Sequence, residues 1–370
     1  MIQKIKSFVK KETVLCIAAL CAVATMFLVP PDAEYLHYID FRVLCLLLCL
    51  MTVVAGFKSV GAFQWLTYQL LSRIHNGRIL SITLVLLPFF CSMLVTNDVA
   101  LLVFIPFTLA LLNQLGCTRQ TVMIIVLQTI AANLGSMATP VGNPQNLYLY
   151  AAYNMSAADF FSVTLPLTAV SFLALTAASY PPLPKKLPEQ ELTEVSISSI
   201  KNMIVYTALF VLSLLTVFRV IPYPVTTAVT VVVLLLTDRK LLKEIDFMLL
   251  ITFVCFFIVS ENLGRDENVR GFLQSLLSRS TLLTAVGTSQ IISNVPAAVL
   301  LSGFTNQWAD MLAGVNVGGL GTPIASLASL ITLKLYIAWP EAKIGKFMII
   351  FTAANLIGLV IMLSFCFLYF

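Results

Sequence analysis

Long apolar runs alternate with short polar gaps along almost the whole chain. A helix that crosses a bilayer needs roughly 20 mostly apolar residues. Such runs are predicted at 13–29, 41–56, 160–180, 203–220, 222–237, 247–260 and 347–370. Two more, 121–153 and 306–338, are long but interrupted by Asn, Gly, Thr and Pro. Together these give about nine crossings. Two further apolar stretches, 79–112 and 280–304, each carry polar residues at the midpoint. The pattern predicts an all-α integral membrane protein.

Composition agrees with the pattern. The chain is 59% hydrophobic and 11% charged, with a mean hydropathy of +0.96. Soluble domains carry roughly 25% charged residues. A cytosolic enzyme, a disordered chain and a nucleic-acid partner are excluded; the bilayer is the partner. The eight cysteines lie mostly in apolar runs without a CxxC pair, so they read as small apolar filler. No HExxH, GxSxG or P-loop run occurs, so catalysis and ATP-driven pumping are not expected.

The net charge of +5 informs about orientation. Lys4, Lys6, Lys10 and Lys11 set the N-terminus in the cytoplasm. Alternating sides then leaves only Arg42, Arg219, Arg265, Arg270 and Arg279 of the 22 Lys and Arg outside. The bias holds only if 79–112 and 280–304 enter and return on one side, as re-entrant hairpins, which puts the C-terminus outside.

The halves repeat each other. Ile39-Asp40-Phe41 recurs as Ile245-Asp246-Phe247, and Leu70-Leu71-Ser72-Arg73 as Leu276-Leu277-Ser278-Arg279. Thr96-Asn97 corresponds to Ser293-Asn294. Asn133-x-Gly135-x-x-x-Thr139-Pro140 matches Asn316-x-Gly318-x-x-x-Thr322-Pro323. Apolar composition does not produce polar pairs in the same order. An odd number of crossings separates equivalent helices, so the two repeats, 1–180 and 202–370, have inverted topology, joined by a polar linker at 181–201. Inverted repeats with broken helices are typical of secondary transporters. The segments 60–73 and 266–279 read as amphipathic arms at the interfaces.

Backbone broken at membrane depth must be shielded by protein or line a cavity. Each break presents a helix C-terminus, whose carbonyls favour a small hard cation, and a helix N-terminus, whose N–H groups favour an anion. The candidate cation ligands are therefore Thr96, Asn97, Asp98, Asn133 and Gly135, with Ser293, Asn294, Asn316 and Gly318. The candidate substrate contacts are Asn97, Thr139, Pro140, Gly142, Asn143 and Asn146, with Asn294, Thr322, Pro323 and Ser326. An Asn amide can turn its oxygen to a cation and its NH2 to an anion. Asp98 breaks the symmetry, since its counterpart is Val295. An ionisable residue at membrane depth is a functional hypothesis by default; the competing reading is a cap of the hairpin's second helix. Asp40 and Asp246 read as helix caps, Pro88 and Pro106 as bends, and Tyr35, Tyr38, Tyr148, Tyr150, Tyr153 and Trp339 as an interfacial girdle.

Thr96-Asn97-Asp98-Val99-Ala100-Leu101-Leu102, the run Asn133–Asn146 (NLGSMATPVGNPQN) and Ser293-Asn294-Val295-Pro296 resemble the ion transporter superfamily. That group includes divalent anion:sodium symporters, citrate transporters, and arsenite and NhaD-type sodium/proton antiporters; the chain looks closest to compact citrate-transporter-like bacterial permeases. The resemblance implies a homodimer in the bacterial plasma membrane. It also implies a mobile transport domain that carries a small anion, a di- or tricarboxylate, by an elevator motion, with Na+ or H+ as coupling ion and no other cofactor. In the symporters each tip carries Ser-Asn-Thr and forms a Na+ site. Here Thr96-Asn97 and Ser293-Asn294 match, while Asp98 and Val295 depart from it. The second broken helix has Ala325-Ser326-Leu327-Ala328 where the first has Gly142-Asn143-Pro144-Gln145. An arsenite or Na+/H+ antiporter and a non-transporting membrane sensor are the rival expectations.

Overall fold

The computed structural model describes residues 12–72, 74, 76–180, 183–184 and 195–369. The basic residues at 4–11, Arg73, His75 and most of the linker at 181–194 lie outside the described residues.

The first half runs α1 (Thr13–Met26), α2 (Phe41–Ser59), α3 (Ala62–Leu71), α4 (Gly77–Cys91), α5 (Asn97–Gln114), α6 (Thr118–Ser136), α7 (Pro144–Ala152) and α8 (Ala157–Ser179). After α9 (Ile200–Val217), the second half follows as α10 (Tyr223–Thr237), α11 (Phe247–Arg265), α12 (Glu267–Arg279), α13 (Thr281–Ile292), α14 (Asn294–Ser302), α15 (Trp308–Val317), α16 (Leu327–Ile337) and α17 (Ile344–Tyr369). The predicted broken helices are the pairs α6/α7 and α15/α16, and the predicted hairpins are α4/α5 and α13/α14. The arms 60–73 and 266–279 appear as α3 and α12.

Among the described residues, six helices are long and apolar enough to cross a membrane: α2, α5, α8, α9, α11 and α17. The helices predicted to cross at 13–29 and 222–237 are shorter, with 14 and 15 residues. The two hairpins differ as well. The second arm of the first, α5, has 18 residues, whereas its counterpart α14 has nine.

Packing follows the repeat. α4 lies against α6, and α13 against α15; α7 packs on α14, and α16 on α5. α1 packs on α11 in the other half, and α10 on α2. The helix ends obey ordinary capping. Asp40 Oδ1 accepts from Val43 N at 3.0 Å and Asp246 Oδ1 from Leu249 N at 2.9 Å, so both predicted caps are present. Pro88 and Pro106 lie inside α4 and α5. The girdle expectation fails for part of its set. Tyr150 is buried, Tyr148 meets Ser302 Oγ at 2.8 Å, and the Tyr153 hydroxyl donates to the Ser302 and Thr305 carbonyls. Tyr148 and Tyr153 tie the α7 segment to the second hairpin, whereas Tyr150 packs edge-on to Phe160 and Phe218; α7 is an inner half-helix and not a lipid-facing one.

Arg265 joins the α11 end to the loop after α1, with Asp32 at 2.8 Å and Glu34 at 3.0 Å. The guanidinium beside Asp32 holds that carboxyl below its ordinary value.

Candidate functional site

The first broken helix stops because α6 runs into Met137-Ala138-Thr139-Pro140 and resumes only where Asn143 caps α7. Asn143 Oδ1 accepts from Asn146 N at 2.9 Å, and Pro144 occupies the first turn, where its missing N–H costs nothing. The second stops at Val317 and resumes where Ser326 caps α16 through Ala328 N, at 3.2 Å. Each hairpin tip is fastened to the loop of its own repeat by the same two contacts. Asn97 N donates to the Gly142 carbonyl at 3.3 Å, and Asn294 N donates to the Ala325 carbonyl at 2.9 Å. The Thr139 hydroxyl donates to the Met93 carbonyl, and the Thr322 hydroxyl to the Gln290 carbonyl at 3.1 Å.

Between the loops lies a buried polar core. Asn133 Oδ1 accepts from Asn97 Nδ2 at 3.0 Å and from Ser326 Oγ at 2.9 Å. Asn316 Oδ1 accepts from Asn143 Nδ2 at 3.3 Å, while Asn316 Nδ2 donates to Asn146 Oδ1 at 2.7 Å. The bonds Asn143–Asn316 and Ser326–Asn133 are equivalents that cross from one repeat to the other. Asn97, Asn133, Asn143, Asn146, Asn316 and Ser326 are all buried. Polar groups at membrane depth are costly unless satisfied, and these amides satisfy one another.

The structure thus brings together Asn97, Asn133, Asn143, Asn146, Asn316 and Ser326. Thr322 and Pro323 lie on the outer side of their loop, where Thr322 is exposed. Thr139 and Thr322 use their hydroxyls on hairpin carbonyls. Gly142 marks the tightest approach. A Cβ there would overlap the Ser136 carbonyl oxygen and stand 2.7 Å from that of Ser92. Ser136 is the last residue of α6 and Ser92 the cap of α4, so two helix C-termini converge on Gly142 and the Asn97 backbone.

Asp98 does not cap α5. Thr96 holds the cap position, and Asp98 Oδ1 is buried with no hydrogen-bond partner among the described residues. The reason is position: Asp98 already lies in the first turn of α5, one residue past the helix start, and its own N–H donates to Asn97 Oδ1 at 3.0 Å. Asp98 faces two cavities. One, of about 290 Å³, is lined by Thr96, Asp98, Asn143 and Pro144 on one side and by Lys58, Glu244 and Asp246 on the other. The second, of about 220 Å³, is lined by Asp98, Asp246, Thr252, Ser293, Val295 and Pro296. Lys58 and Glu244 stand 3.9 Å apart at the edge of the first.

Three residues escape sequence reasoning. Ser136 Oγ accepts from Asn143 Nδ2 at 3.1 Å and donates to the Asn133 carbonyl at 2.9 Å. Ser92 supplies the second carbonyl at Gly142. Gln290 bridges α13 to the second loop, with Nε2 at 2.9 Å from the carbonyls of Gly318 and Leu320. The one signal for Gln290 is its amide inside an apolar segment; Ser136 is marked only by lying within the run Asn133–Asn146, and Ser92 carries no signal.

Paired hairpins held against paired broken helices, around a buried polar core in a multi-pass membrane chain, define a secondary transporter. The profile of the citrate transporter family matches residues 1–314, and the chain belongs to that family. It is 30% identical over 333 residues to an uncharacterised transporter of Methanocaldococcus jannaschii (MJ0456), covering 90% of this chain and 91% of that one. It is 30% identical over 301 residues to the inner membrane protein YbiR of Escherichia coli, covering 80% of each. The solved structure of the Alcanivorax borkumensis YdaH transporter is similar in fold, with a TM-score of 0.54, 14% identity, and coverage of 91% of this chain and 88% of that one.

Proposed function

We propose that the protein couples movement of a small anion, a di- or tricarboxylate, to a cation, Na+ or H+. The observation that carries this reading is the meeting of opposite helix ends. The carbonyl ends of α4 and α6 meet at Gly142 beside Asn97, and the N-terminus of α7 begins at the next residue, Asn143, which with Pro144 lines the cavity of about 290 Å³. The first favours a cation, the second an anion. The cavity of about 290 Å³ suits a small organic anion. Its wall carries Asp98, Asp246 and Glu244 against Lys58, so a carboxylate needs a bound cation to enter. In this reading both hairpins are re-entrant and travel with the broken helices past α2, α10 and α11, and two copies of the chain form the working unit.

Reconstituted protein in proteoliposomes tests it: uptake of labelled citrate and succinate under an imposed Na+ or pH gradient. Uptake that follows one of the gradients supports the proposal. Equal uptake with and without both gradients contradicts it.

One observation favours a second reading, cation/proton antiport: Asp98, whose Oδ1 has no hydrogen-bond partner among the described residues, shares both cavities with Asp246. Under the first reading, Asp98→Asn keeps anion uptake and changes its Na+ or pH dependence. Under the second, Asp98→Asn abolishes Na+-driven proton movement, read with a pH dye inside the vesicles, and no anion is taken up.

A further inference from the structure

The two loops differ in what meets their carbonyls. Carbonyls at and just past a helix C-terminus lack intrahelical donors and carry partial negative charge. In the second repeat these are Gly318 and Leu320, and Gln290 Nε2 donates to both at 2.9 Å. The same nitrogen reaches the Val286 carbonyl at 3.3 Å, and Gln290 Oε1 accepts from Thr322 N at 2.9 Å. One neutral amide therefore gathers three carbonyl oxygens at its positive end, as a small cation would. The chain makes room for it. Gly321 adopts φ +109, and a Cβ at that position would overlap the Gln290 carboxamide.

In the first repeat the equivalents of Gln290 and Gly321 are Met93 and Ala138. A thioether has no N–H to give. The Met137 carbonyl, equivalent to that of Leu320, and the Thr139 carbonyl are taken by Asn146 Nδ2 at 3.2 and 3.3 Å, which leaves the carbonyls of Ser92 and Ser136 without an amide of this kind among the described residues. The carbonyls of Ser92 and Ser136 converge instead on Gly142, which lacks the methyl that its counterpart Ala325 carries.

We propose that Gln290 stands in for a cation in the second repeat, so that a single Na+ binds, at the first tip beside Gly142 and Asn97. This rests on the cation-coupled reading above.

The test is a Na+ titration of the purified full-length protein, read as thermal stability and as Na+-dependent citrate uptake. Wild type is expected to respond with a Hill coefficient of about 1. In Gln290→Glu a carboxylate oxygen replaces Nε2 against the same carbonyls and needs a cation between them. That variant should gain a larger Na+-dependent stabilisation, with a Hill coefficient rising toward about 2. Met93→Gln places an amide at the first tip and should weaken the Na+ response at least about tenfold, and it decides the matter if the Gln290 variant does not fold. A wild-type Hill coefficient near 2 that Gln290→Glu leaves unchanged overturns the proposal while cation coupling stands; so does an unaltered response in Met93→Gln. A wild type that answers to protons alone also overturns it. A wild type that answers to neither Na+ nor protons overturns the cation-coupled reading as well.

Discussion

The first hairpin turns through Ser92–Thr96, whereas the second turns at Ser293 alone, which sits at φ 76. Thr96 has φ −63, which any residue adopts. A non-glycine residue held near Ser293's conformation costs on the order of 1–3 kcal/mol, so the surrounding contacts must enforce it. Yet both tips reach the same result: an Asn N–H on the loop carbonyl and a Thr hydroxyl on a hairpin carbonyl. The backbone scheme is common to the repeats, and the side chains around it are not. Gly142 corresponds to Ala325, Met93 to Gln290, Asn146 to Ser329, and Asp98 to Val295. The fold needs the shared scheme. The unequal side chains are where, in the proposed single-cation scheme, the two tips divide the work.

The largest effect is expected from Gly142→Ala. Its methyl would meet backbone oxygens of Ser136 and Ser92, which cannot swing aside as a flexible side chain can. Overpacking of this kind costs roughly 1–3 kcal/mol, and thermal melts should fall accordingly with loss of uptake. The reverse exchange, Ala325→Gly, should cost less than about 1 kcal/mol and leave uptake in place. Equal losses in the two variants would break the distinction between the tips.

Next comes the amide pair. Asn97→Ala leaves Asn133 Oδ1 with Ser326 as its remaining donor. It should weaken the Na+ response at least about tenfold, a change of about 1.4 kcal/mol. Asn294→Ala should lower stability without moving the midpoint of the Na+ titration. A shift in both variants would make the tips equivalent again.

The smallest effect lies outside both tips, at the ion pair of Asp32 and Arg265. Because Arg265 depresses the Asp32 carboxyl, its stabilisation is complete above the ordinary carboxylate range and fades as pH falls through the lowered value. Melting temperatures taken from pH 7 downward should converge for wild type and Asp32→Asn below that range. A constant gap at every pH would remove the ion pair from the explanation.

The sequence was most legible where polarity is expensive. Asn97, Asn133, Asn143, Asn146, Asn316 and Ser326 stood out because an amide or hydroxyl inside hydrocarbon demands a reason, and for Asn97, Asn133 and Asn316 recurrence at matched spacing supplied one. What spacing could not show is that these residues bond across the repeats, Asn143 to Asn316 and Ser326 to Asn133, because a repeat aligns equivalent residues and does not reveal which ones touch. Gln290 escaped for the opposite reason. Its counterpart is Met93, so a search for likeness passes over it. The tyrosines of α7 were misplaced because the end of a broken helix looks, in sequence, like the end of a spanning one. Asp98 was legible as an anomaly, but its freedom from any capping duty depended on where α5 starts: Thr96 holds the cap position and Asp98 falls inside the first turn.

The most direct measurement is ligand-induced thermal stabilisation of the purified protein with citrate, succinate and other small carboxylates, with and without Na+, at two pH values. A ligand at 100 times its Kd stabilises by about 2.7 kcal/mol, enough to read as a shift of several degrees. A carboxylate should raise the melting temperature only when Na+ or an added proton is present, and the cation should raise it less alone. Stabilisation by Na+ or protons with no carboxylate adding to it, at either pH, would contradict the anion-carrying reading and leave the exchanger in its place.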